Sequence, residues 1–105
     1  MKTGIELIAD ERKRQIELEG WTAEHDAQHN EGELANAACV YAMTNDMISF
    51  MDADWGNDMY LHFWPFDLDW LKKDKTDETE KRIHDLAKAG ALIAAEIDRL
   101  KQITE

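Results

Sequence analysis

Apolar residues recur along this chain in blocks with different rhythms, and the last block is the most regular. Ile83, Leu86, Gly90, Ile93, Ile97 and Leu100 alternate spacings of three and four residues. That spacing puts them on one stripe of an α-helix over residues 77–102. The stripe predicts the side that this helix turns towards the core. Gly90 within it predicts a close crossing with another helix, because glycine otherwise only weakens a helix interior. Upstream, Leu34, Ala37, Ala38 and Tyr41 repeat at i, i+3, i+4 and i+7, which predicts a second helix over residues 32–43. Thr22 is a suitable N-cap if that helix begins as early as residue 22. Gly4 to Glu19 reads as a first helix, with Ile5, Leu7, Ile8, Ile16 and Leu18 around a charged middle and Gly20 as its stop.

Between residues 44 and 76 the rhythm is lost. TNDMISFMDADWGND alternates apolar and acidic residues, and YLHFWPFDLDWL then gathers aromatic rings around the single proline, Pro65, which blocks a continuous helix. Asp67 is placed to cap a short helix through Lys73, and KKDKTDETEK forms a polar linker. No segment reads as a strand. A chain of 105 residues has the length of one domain, residues 1–105, with a modest core. The expected fold class is all-α: a small bundle of three to four helices, with an aromatic-rich irregular segment between the second and last long helices. Six of the nine aromatic residues (Trp55, Tyr60, Phe63, Trp64, Phe66 and Trp70) lie within 16 residues of that segment, more than so small a core readily absorbs. This predicts a homo-oligomer. Two other readings stay open: Trp64 and Trp70 stack a nucleobase, or the rings fill the core beneath a long loop.

Charge narrows the functional classes. The net charge is -11, and Lys and Arg occur only at positions 2–14 and 72–101. The 57 residues from Gln15 to Leu71 carry twelve Asp or Glu and no basic residue. Such a segment repels phosphate backbones, so direct nucleic-acid binding is not expected. It can hold divalent cations, imitate nucleic acid towards a basic host protein, or simply be a solvated face. No apolar run reaches the roughly 18 residues of a membrane span, and MKTGIELIADERKRQ lacks the apolar centre of a signal peptide. The lone Cys39 fits a reducing cytoplasm, and its apolar neighbours predict a buried, inert thiol.

Candidate chemistry concentrates in GWTAEHDAQHNEGELANAACVYA, residues 20–42. His25 and His29 stand at i and i+4, the spacing of zinc-protease helices, but Asp26 occupies the place of the glutamate base and a small helical chain leaves no room for a substrate strand. A better fit is an open Mg²⁺ or Mn²⁺ site from Asp26, His29 and Glu33, stacked on one face if the second helix extends back to residue 22. The competing local reading is a capping box between Asn30 and Glu33. The last helix offers Asp85 as a fourth ligand, with Lys88 one turn on for phosphate. Glu96 lies about 16 Å further along the axis and is expected to pair with Arg99. His84-Asp85 repeats the His25-Asp26 dipeptide, a pairing that the larger HD-type phosphohydrolases use.

ERKRQIELEGWTAEHDAQHNEGELANAACVYA and RIHDLAKAGALIAAEIDRL resemble small proteins of phages and prophages. These are typified by E-R-x-R-Q, E-G-W-T-x-E-H-D, H-x-x-G-E-L-A and K-A-G-A-L-I-x-A-E-I, and the resemblance covers about half the chain. The G-E-L-A stretch on an all-α chain is further similar to the MazG-like nucleoside triphosphate pyrophosphohydrolases, in which E-x-x-E and E-x-x-D pairs hold Mg²⁺. That likeness implies Glu33 as the second glutamate of E-x-x-E and the catalytic carboxylate. Asn30 stands where the first would be, so Asp26 and His29 would have to complete the metal shell with Asp85. Arg14 and Lys88 would contact phosphate, and Trp64 and Trp70 the base. The implied function is a Mg²⁺- or Mn²⁺-dependent nucleotide pyrophosphohydrolase. The rival is a non-catalytic acidic phage protein that blocks a host protein or sequesters a nucleotide.

Overall fold

The computed structural model describes residues 1–26, 28–56, 59–71, 73 and 78–104. Helix α1 spans Gly4–Glu19. Thr3 opens it with a reciprocal cap: its hydroxyl accepts from the Glu6 N–H, and the Glu6 carboxylate accepts from the Thr3 N–H. Gly20, at φ 73°, closes it. A single turn, α2 (Ala23–Asp26), follows, with the Thr22 hydroxyl accepting from the His25 N–H. Then come α3 (Glu33–Ala42), α4 (Asn45–Trp55) and the long α5 (Thr79–Thr104). Two 3₁₀ turns, Met59–Phe63 and Leu68–Trp70, carry most of the aromatic segment. No strand occurs among the described residues, so the chain adopts the all-α class that its pattern predicts. No described helix is long and apolar enough to cross a membrane.

Helix α4 falls in the stretch whose rhythm is ambiguous. It is capped by the Thr44 hydroxyl, which accepts from the Met47 N–H, and Ile48 is its only buried residue. A helix that buries one side chain leaves little periodic trace. Asp67 precedes the second 3₁₀ turn without a side-chain cap, and that turn ends at Trp70 rather than running to Lys73. Lys72 and residues 74–77 of the expected linker lie outside the described residues.

Helix α5 packs most extensively on α3 and next on α1. Ala37 and Ala38 of α3 and Ala89, Ala91 and Ala95 of α5 are all nearly inaccessible, so small side chains set the approach of these helices. Leu34, Val40, Tyr41, Ile48, Tyr60, Trp64 and Leu92 complete the core. The expected core side of α5 needs correcting. Ile83, Leu86, Ile93, Ile97 and Leu100 are 46–52% exposed, while Asp85, Lys88, Ala89, Leu92, Ala95 and Arg99 face inward. An alanine-lined contact has no room for a row of isoleucines, so the large aliphatic side chains point out. Cys39 is also exposed, on the side of α3 away from Ala38 and Tyr41, rather than buried as its neighbours suggest.

Gly90 does mark a close approach. A Cβ there would lie 2.6 Å from Cδ1 and 2.7 Å from Cγ1 of Ile8, so α1 rests against the bare backbone of α5. Two outcomes follow in urea denaturation. Leu92→Ala should lower stability by about 2–5 kcal/mol through an unfilled cavity. Gly90→Ala should give no gain in the native chain, yet stabilise by about 1 kcal/mol once Ile8→Ala has cleared the space. An equal gain in both backgrounds would contradict the contact.

Candidate functional site

The turn at Gly20 folds Trp21 back onto α1, where the Trp21 N–H donates to the Gln15 carbonyl at 3.0 Å. Arg12 completes this latch. Its guanidinium donates to the Trp21 carbonyl at 3.1 Å and to Asp26 Oδ2 at 3.0 Å. Asp26 is thereby buried in an ion pair. Its other oxygen lies 3.5 Å from His25 Nδ1. Helix α2 ends at Asp26, and α3 starts only at Glu33, after Gly32 in the left-handed conformation at φ 84°. The one-face stacking of Asp26, His29 and Glu33 is therefore not formed.

Of the expected metal ligands, His29 and Glu33 meet each other, while Asp26 and Asp85 are held by separate cations. His29 Nδ1 lies 3.4 Å from Glu33 Oε2. Glu33 Oε1 accepts from the Glu31 N–H at 2.6 Å, so the cap it makes is on Glu31 rather than on Asn30. Burial pushes the Glu33 carboxyl up, but the N–H groups of Glu31 and Glu33 and the contact with His29 outweigh this and hold it below its ordinary value. Asp85 is fully buried, 3.5 Å from the Lys73 ammonium. Among the described residues no group of three His, Cys, Asp or Glu could hold a metal ion. A Mg²⁺ or Mn²⁺ shell from Asp26, His29, Glu33 and Asp85 would have to displace Arg12 and Lys73 from buried ion pairs. These residues do not fit the ion as arranged.

The residues expected to bind substrate fare differently. Arg14, Lys88 and Trp70 line one cavity of about 360 Å³, together with Glu11, Gln15, Glu19, Trp21, Tyr41, Asp69 and Leu92. Trp21 and Trp70 stack with centroids 6.5 Å apart and planes within 10°. The same two indoles wall a second cavity of about 420 Å³, closed by His25, His29, Leu34, Pro65, Phe66 and Asp67. Trp64 lines neither. It is a core residue whose Nε1–H donates to the Asp67 carbonyl at 2.9 Å and whose ring meets Tyr41 and Phe66 edge-on.

The charges in the first cavity are unequal in their freedom. Arg14 is held by both Glu11 oxygens at 2.7 Å and by Glu19 at 2.8 Å. Burial pushes the Glu11 carboxyl up, but the Arg14 hydrogen bonds hold it below its usual value. Lys88 is 8% exposed, and its ammonium sits 5.4 Å from the centre of the Tyr41 ring. It makes no hydrogen bond or ion pair among the described residues, and burial pushes its pKa down against the pull of Glu11. Gln15, 1% exposed, donates to Glu11 through Nε2, leaving Oε1 without a partner, and the buried Trp21 Nε1–H also lacks one. Both of these atoms are out of solvent reach, so what the cavity presents is the Lys88 ammonium, without an ion pair among the described residues, and a pair of flat rings.

Sequence reading misses Trp21, Gln15 and Tyr41, which come from three different elements. One signal was present: Ile8, Glu11 and Gln15 follow at i, i+3 and i+7, a helical face in which the polar members are the buried ones. It also misses Arg12 as the partner of Asp26.

If Asp26 serves the latch, Asp26→Ala should cost about 3 kcal/mol by leaving Arg12 uncompensated. The loss should be the same with and without Mg²⁺ in thermal denaturation; a loss confined to Mg²⁺-containing buffer would point back to a metal. No protein-family model, curated protein or solved structure matches this chain, so the functional reading rests on the cavity and its side chains.

Proposed function

We propose that this chain binds a nucleotide, with the base against the Trp21–Trp70 pair and a phosphate against Lys88, and holds it without hydrolysis. The observation that carries the reading is Lys88: a nearly buried side chain that lines a cavity and has no carboxylate within ion-pair distance among the described residues. Burying an uncompensated charge is costly, and a ligand anion would remove that cost. Stacked indoles favour a planar ring as its other half.

The likeness to MazG-like enzymes points to the same ligand class. It also implies hydrolysis at a metal, which the separate engagement of Asp26, Glu33 and Asp85 does not support. Sequestration is the reading that needs only the residues that converge. Glu11, Glu19 and Asp69 on the same wall favour a single phosphate over a triphosphate, because further anionic oxygens would face carboxylates.

Titrating the protein with the four nucleoside monophosphates, read by tryptophan fluorescence and calorimetry, tests this directly. At least one should saturate, and Lys88→Met should weaken it about 10- to 100-fold, the loss of a charge-assisted hydrogen bond. The same variant should melt no lower than the native chain, since a buried ammonium is replaced by an apolar group of similar length. Binding needs the protonated amine, and burial holds the Lys88 pKa below its ordinary 10.5. Affinity should therefore be full at neutral pH and fall as pH rises through that lowered value. Absence of binding by mono- and triphosphates at millimolar concentration rejects the proposal. Pyrophosphate release with Mn²⁺ that is lost in Glu33→Gln would establish the hydrolase instead.

A further inference from the structure

We infer that the aliphatic row on the outer side of α5 is the docking surface for a second copy of this chain. Single exposed apolar residues are ordinary, but here Ile83, Leu86, Ile93, Ile97 and Leu100 form one line, each about half exposed. Gly90 would interrupt that line, yet Ile8 of α1 lies where its side chain would be. The row is therefore continuous and built from two helices. Its alternating spacing of three and four residues is the one by which helices pair along a seam.

Charge selects the occupant. The chain as a whole carries -11, which repels nucleic acid and anionic membranes. A basic protein would be drawn to residues 15–71, where all charges are acidic. Residues 79–104 are different: with the inward Asp85, Lys88 and Arg99 set aside, Lys81, Arg82 and Lys101 stand against Glu80, Glu96 and Asp98. A near-neutral helix with an aliphatic stripe can meet its own copy across a two-fold axis without charge repulsion, while the acidic segments stay apart. This places the interface on α5 rather than on the aromatic segment that the sequence suggested. It does not depend on the nucleotide reading.

Sedimentation velocity and light scattering from roughly 1 to 500 μM give the test, since association follows mass action. The native chain should show a mass near twice 12.2 kDa. Ile93→Lys with Ile97→Lys should raise the dissociation constant about 100-fold or more while keeping the helical circular dichroism. If that double variant unfolds, Ile97→Gln, a milder change at a half-exposed site, carries the same expectation in weaker form. Phe50→Ser and Trp55→Ser, both on exposed positions of α4, should leave the dimer intact. A native monomer across the range overturns the inference. So does a dimer that survives the α5 variants, or a monomer that instead sediments with neutral phosphatidylcholine vesicles.

Discussion

Alanine side chains hold α3 and α5 at a short distance, and the other arrangements follow from that spacing. With Ala37, Ala38, Ala89, Ala91 and Ala95 in or beside the contact, the inner side of α5 accepts little more than Leu92. The longer residues on that side are Asp85, Lys88 and Arg99, whose slender stems reach past the alanines to polar ends. A core of small side chains thus brings charged groups inside and sends isoleucines outside. The buried chemistry and the exposed aliphatic row are two results of one packing choice.

The buried charges then need partners: Arg99 and Glu11 find theirs three residues away, in Glu96 and Arg14, and two other pairs reach across the chain. Arg12 of α1 meets Asp26, and Lys73 meets Asp85 of α5. Each pair ties a loop to a helix and uses a carboxylate that composition alone would offer to a metal. Lys88 stands apart: its nearest feature is the face of Tyr41, and its side chain lines the cavity beside the indole pair. The fold thus gives Arg12 and Lys73 a carboxylate within 3.5 Å, and gives Lys88 none at that distance among the described residues.

Much of the helical framework was legible in the sequence because its signals are local. Gly20 stops α1 where its backbone freedom suggests, and the periodicity of α3 matches its buried set; Thr22 caps the single turn α2 rather than an extended second helix. The orientation of α5 was not legible. Amphipathicity reports which side is apolar, and it reports the core side only when nothing else in the assembly takes the apolar stripe. Alanine, the residue that forms this core, weighs little in such a pattern. In the site, Arg14, Lys88 and Trp70 were identifiable because cations and tryptophans are few. The single-helix stacking of Asp26, His29 and Glu33 was not legible, because α2 ends at Asp26 and α3 begins only at Glu33, after Gly32 in the left-handed conformation.

The C-terminal end of α3 has a consequence for the order of assembly. Its last carbonyls are not closed by a local cap. Those of Tyr41 and Met43 accept from Lys73, and those of Ala42 and Met43 accept from Arg82. Both donors lie thirty or more residues further along the chain. On a ribosome, α3 and α4 emerge well before either cation, so the end of α3 stays hydrated until α5 has been synthesised and docked. Closure of the early half of the chain is therefore a late event, set by the arrival of its final helix.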